Sequence, residues 1–123
     1  MREIKFRAWS ITGEFMYRWE DMLKDHMLYK YFKWDEVYHL MQYTGLKDVN
    51  GKEIYEGDIV KTTALTNTYN ERGAIVKSPV EIWKGNACLS VTYIPIYPFC
   101  VNHKIEVIGN VHEHPELLEV QGE

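Results

Sequence analysis

Cysteine is scarce in this chain. Cys88 and Cys100 are its two, with neither a C-x-x-C spacing nor a framework pattern, which excludes a disulfide-stapled scaffold and suits free thiols in a reducing cytosol. Positive charge is also in deficit: fourteen Lys and Arg against eighteen Asp and Glu give 14 − 18 = −4, so no global field draws the protein to nucleic acid or an anionic membrane. No apolar stretch approaches the length of a membrane span, and residues 1–7 alternate charged with apolar side chains where a signal peptide needs a continuous apolar centre. The expectation is a soluble cytoplasmic protein with no membrane attachment. Linkers rich in Pro, Gly or Ser, internal repeats and low-complexity tracts are missing too, so one domain of 123 residues is the default.

What is present is a sequence of ordinary globular composition, 46% hydrophobic and 26% charged, which rules out the profile of disorder. Residues 4–9 have period two, with Ile4, Phe6 and Ala8 on one face and Lys5, Arg7 and Trp9 on the other, as on a half-buried strand. Gly13 marks a turn, and Phe15 to Trp19 completes a hairpin. Residues 20–34 fit neither period cleanly: good helix formers up to about Leu28 argue for a helical turn or two, whereas Tyr29, Tyr31 and Trp34 look more like a strand.

From Glu36 onward short strands alternate with turns. Residues 36–43 lead to Thr44-Gly45, Asp48-Val49-Asn50-Gly51 is the strongest reversal in the chain, and strands over 52–55 and 59–63 flank the turn Glu56-Gly57-Asp58. A polar loop over 66–73 precedes strands at 74–77 and 80–83 separated by a break at Pro79. Lys84-Gly85-Asn86 turns the chain into a strand over 88–94, Pro95 and Pro98 interrupt a run that continues to Val101, and residues 104–111 form a last strand with a bulge or bend at Gly109-Asn110. Pro115 to Leu118 closes with a short helical turn. The pattern predicts a mainly β protein: a small SH3-like β-barrel over 46–118 with an N-terminal β-hairpin or arm over 1–45, any boundary lying near Gln42 to Gly45.

Three blocks carry a family resemblance: residues 2–9 (REIKFRAW), residues 41–60 (MQYTGLKDVNGKEIYEGDIV), and residues 106–111 (EVIGNV) with Pro115 to Leu118. In this order and spanning the chain, they resemble the YopX family of small phage and prophage proteins. Ser10 departs from the acidic residue that pattern leads one to expect, and residues 20–34 match nothing in it. The resemblance implies a phage or prophage origin and an SH3-like barrel, and supplies no catalytic residues to transfer.

Chemistry is thinly represented. Gly45 and Gly51-Lys52 miss the phosphate-loop spacing by one residue and put Glu53 where a hydroxyl must reach magnesium. Asp48-x-Asn50 begins like a calcium loop, but Glu53 and Ile59 occupy its glycine and final acid positions. His112-x-His114 offers two ligands where zinc needs three or four, and Cys88 or Cys100 with His103 lacks an orienting partner. The expectation is no enzyme, no metal and no cofactor. Binding remains. With four Trp, nine Tyr and four Phe, the chain has more aromatic area than one small core hides, and Trp9, Tyr17, Trp19, Tyr29, Tyr31 and Trp34 are the expected protein interface, in a homo-oligomer or with a phage or host protein. The alternative is single-stranded or structured nucleic acid held by Lys5, Arg7, Lys24, Lys30 and Lys33 among those rings, which the negative net charge disfavours.

Overall fold

The computed structural model describes residues 3–63, 75–90, 93–101 and 104–118. The expected loop over 66–73 and His103 lie outside these. The protein is mainly β, with two antiparallel four-stranded sheets and a few short helices. By compactness it divides into Met1–Tyr43 and Thr44–Glu123.

In the first unit β1 (Phe6–Ser10) lies between β2 (Phe15–Tyr17) and β3 (Tyr38–Lys47), in registers that set Trp9 opposite Met16 on one side and His39 on the other. The hairpin closes on Ser10, whose Oγ accepts the Gly13 amide at 3.0 Å and whose carbonyl accepts that of Glu14 at 2.8 Å. Trp19 does not end the second strand as expected; it opens α1 (Trp19–Leu23). Nor is the segment after Leu28 a strand: Tyr29–Lys33 is a helix, α2. The reason is visible in burial. A strand would put Tyr29 and Tyr31 on one face, whereas Tyr31 is 2% exposed and Tyr29 56%, a separation that a helix makes by sending Leu28 and Tyr31 inward together. Ala8, Met22 and Tyr31 form the buried centre, packed by Phe6, Tyr17, Trp19, Leu28, Tyr38 and Leu40.

The second unit starts within β3. Thr44 Oγ1 donates to the Ile54 carbonyl at 2.7 Å, joining β3 to β4 (Glu53–Tyr55), which follows the Asp48-to-Lys52 reversal. Gly51 sits there at φ 81°, where only a residue without Cβ is unstrained. β5 (Asp58–Thr63) is central to the second sheet, with β8 (Ile105–Asn110) on one side and β6 (Ile75–Trp83) then β7 (Asn86–Leu89) on the other. Ile54, Val60, Val80, Ala87, Leu89, Ile96 and Ile105 make its core, each large side chain removed from water contributing about 1.5–3 kcal/mol.

Three expectations are corrected in this unit. Pro79 does not break a strand, because β6 pairs with β5 up to Pro79 and with β7 from Val80, so the missing N–H falls at the exchange of partners. The run to Val101 ends as α3 (Tyr97–Val101), with Pro98 in the first turn, where no amide is required, and the Cys100 amide donating to the Ile96 carbonyl at 3.1 Å. The register slips by one residue between Ile59 and Val60, which oppose Gly109 and Val107, so the bulged residue is Ile108. Gly109 instead provides close approach: a Cβ there would lie 2.8 Å from both His114 Nδ1 and Leu117 Cδ1 of the segment that runs into the 3-10 turn Pro115–Leu118.

One carboxylate ties these pieces together. Asp48 Oδ1 accepts the amides of Asn50 at 2.8 Å and Lys52 at 2.9 Å, and its Oδ2 accepts that of Val107 at 2.9 Å, fifty-nine residues away. Asp48→Ala orphans all three donors, and we expect it to cost about 2–4 kcal/mol, since each unsatisfied amide carries a desolvation penalty of about 1–3 kcal/mol that water partly relieves. Urea denaturation with an unchanged m-value checks this; a loss below about 1 kcal/mol would show that the turn and β8 hold without the carboxylate.

Candidate functional site

The six aromatic positions expected to form an interface do not lie together on the surface. Tyr31 is core, and Tyr17 and Trp19 are half-buried against it. Tyr17, Tyr31 and Tyr38 form one cluster, with ring centroids 5.5 Å, 6.0 Å and 4.8 Å apart, and Trp19 tilts against Phe6 at 5.8 Å. Tyr29 and Trp34 are exposed, and Trp9 is half-buried. Two rings outside those six are as open: Phe32, edge-on to Phe6 at 5.3 Å, and Phe15, edge-on to Tyr17 at 4.9 Å. Phe32 follows Tyr29 by three residues and so shares the outer face of α2, a signal that becomes legible only once the segment is taken as a helix.

The five expected cations are also divided. Lys5 lies 5.0 Å from the centre of the Tyr43 ring and 3.7 Å from Glu3, and Arg7 is half-buried. Lys30 Nζ is 2.9 Å from Asp25 Oδ2 and rests 5.1 Å from the Tyr31 ring centre. Lys24 and Lys33 are exposed.

Asp25 organises the connection between α1 and α2. Its Oδ2 also accepts the Tyr31 hydroxyl at 2.8 Å, and its Oδ1 accepts the Met27 amide at 2.9 Å. The ammonium of Lys30, then the Met27 amide and the Tyr31 hydroxyl, hold the Asp25 carboxyl down to about 2. Asp25 in turn raises the Lys30 ammonium. Burial first, and the bond to Asp25 second, push Tyr31 up to about 12. A tyrosine fixed in this way positions α2.

In the second unit the turn carboxylates serve the backbone: Asp48 as above, and buried Asp58, whose Oδ2 accepts the Tyr55 amide at 2.8 Å. Of the His112-x-His114 pair, His114 Nδ1 accepts the Asn110 amide at 3.2 Å, and among the described residues no group of three or more His, Cys, Asp or Glu is placed to hold a metal ion. Burial raises both thiols, Cys100 to about 11, so neither is a thiolate at neutral pH. A second aromatic surface, unforeseen from sequence, joins Trp83 and Tyr93 at 5.3 Å, both about half exposed, with Lys84 Nζ 4.7 Å from the centre of the Trp83 ring.

The family model described as YopX protein matches residues 5–119. Among solved structures, the crystal structure of protein EF1440 from Enterococcus faecalis is similar over 97% of this chain and 100% of that chain, with a TM-score of 0.65 and 24% identity, a likeness of fold. None of the curated proteins matches the chain.

The Asp25 network predicts pH dependence at both extremes. The Asp25 carboxyl has a folded value below its ordinary 3.8, so its contribution is complete above that pH and is lost as pH falls towards about 2. Tyr31 has a folded value above its ordinary 10.0, so its contribution is complete below pH 10 and is lost as pH rises towards about 12. Denaturation midpoints measured against pH should lose the acid-side slope in Asp25→Asn and the alkaline-side slope in Tyr31→Phe. Slopes identical to the parent's would show that the network does not couple to folding.

Proposed function

The chain belongs to the YopX family, and from that premise we propose that it is a phage or prophage accessory protein that acts in the host cytoplasm by binding, as a self-associating protein-interaction module without catalysis. On this reading the second unit is an SH3-like barrel, and the first unit carries the contacts. The observation that supports it is the number of large apolar side chains the first unit leaves in water after closing its own core: Ile4, Ile11, Phe15, Leu23, Met27, Tyr29, Phe32 and Trp34 are all more than 40% exposed. Scattered apolar residues are ordinary. Eight in one unit of this size, aromatic in half the cases, are the composition of an interface.

Five of them fall in two regions. Ile11 and Phe15 flank the turn of the first hairpin, and Tyr29, Phe32 and Trp34 lie on and just beyond α2. Self-association is assigned to the hairpin. The α2 surface is then left for a phage or host protein. Nothing observed favours nucleic acid over this, since Lys30 is committed to Asp25 and Lys5 to Glu3 and Tyr43.

Sedimentation equilibrium of the whole chain is the test, and the expected mass is a multiple of 14.6 kDa. Replacing Ile11 and Phe15 together with serine should weaken association roughly tenfold or more. Because both side chains are exposed, the same change should alter folding stability by no more than about 0.5 kcal/mol per site. A chain that keeps its single-copy mass throughout the micromolar range overturns the proposal.

A further inference from the structure

Of the strands at the sheet edges, three are covered by the chain itself. On β8, the Val107 amide is taken by Asp48 Oδ2 and the Ile105 carbonyl accepts the Val49 amide at 3.0 Å. On β7, the Leu89 amide donates to the Ile94 carbonyl at 2.9 Å and the Ala87 carbonyl accepts the Ile96 amide at 3.1 Å. On β4, the Tyr55 amide is taken by Asp58. β2 differs. Among the described residues no backbone hydrogen bond other than those to β1 is found at Phe15–Tyr17, while Arg18, next along, gives its amide to Asp21 Oδ2 at 3.3 Å and accepts the Met22 amide at its carbonyl at 3.0 Å. Folded proteins block free edges because such an edge is a template for another strand. A strand edge with free backbone groups beside an exposed aromatic is a template for another strand.

We infer that the strand docking there is β2 of a second copy, antiparallel about a two-fold axis through Met16. This rests on the self-association proposed above and names its surface. The evidence is self-complementarity. Pairing about Met16 sets Phe15 opposite the partner's Tyr17 and Glu14 opposite the partner's Arg18, each twice by symmetry. Phe15 and Tyr17 already meet edge-on within one chain, and Phe15 is 53% exposed, so the pairing joins four rings on one face. Glu14, in the turn at φ 52°, and Arg18, the N-cap of α1 with its side chain 74% exposed and Asp21 at 3.7 Å, lie just beyond the two ends of β2, and across the axis their opposite charges flank the paired strands. No like charges are opposed in this register. A two-fold interface requires a surface complementary to itself, and residues 14–18, EFMYR, meet that requirement in charge and in aromatic pairing.

The test uses the full chain and three substitutions. Met16→Cys places two thiols on the axis, where Cβ atoms of a directly opposed antiparallel pair are about 4.5–5.5 Å apart and a small adjustment closes a disulfide. Mild oxidation should give a covalent dimer that the parent, with its own Cys88 and Cys100, does not form. Glu14→Arg and Arg18→Glu, each alone, set like charges across the axis and should raise the dimer dissociation constant about tenfold or more; combined, they should restore it. A parent that sediments as a single copy overturns self-association and this inference together. A parent that associates, with no Met16→Cys cross-link and no response to either charge reversal, overturns the β2 register alone and leaves self-association standing on another surface.

Discussion

The second unit depends on one buried carboxylate. The Asp48 reversal is local, but the strand it must hold, β8, arrives fifty-nine residues later. Joining segments so distant carries a loop-closure cost that local contacts do not repay. Asp48 meets it by dividing its oxygens: Oδ1 shapes the turn through Asn50 and Lys52, and Oδ2 fixes Val107. Gly57 repeats the device with backbone alone, its amide donating to the Val80 carbonyl at 2.9 Å and its carbonyl accepting the Val111 amide at 2.8 Å. With β6 and β8 both fastened to the turns that flank β4 and β5, Ile54, Val60, Val80 and Ile105 can share one core.

The first unit is held differently. It has few strands and a small buried centre, so it fills space with rings, and the polar rim of that ring cluster must be satisfied. Asp25 does this by accepting the hydroxyl of Tyr31 and the ammonium of Lys30 at the same oxygen. The lysine that sequence suggests for phosphate contact is thereby used to orient an aromatic core. A side chain has one position at a time, and its local partner decides which of its chemistries is available.

Much of the β architecture was legible because turns declare themselves. Gly51, Gly57 and Lys84-Gly85 each adopt positive φ where the residue types indicate reversal, and the period-two pattern of residues 4–9 matches β1. What sequence did not show was anything decided by partners distant along the chain. α2 is helical because Tyr31 reaches Asp25 and the Tyr17 and Tyr38 rings, which no local propensity encodes. β6 passes through Pro79 because its partner changes there, and α3 forms because Cys100 and Ile96 turn towards one core. The candidate interface was read less well for the same reason. Counting rings cannot separate Tyr31, which fills the core, from Tyr29 two residues earlier, which faces water.

This division bears on what family membership can say. The blocks by which the chain resembles YopX proteins contain Asp48, Gly57, Asp58, Gly109 and Asn110, and each is accounted for by a backbone group it satisfies or a close approach it permits. Asn110 alone accepts the amides of His112 and Glu113 while donating to Glu113 Oε1. Residues committed in this way specify a fold and are poorly placed to specify a partner.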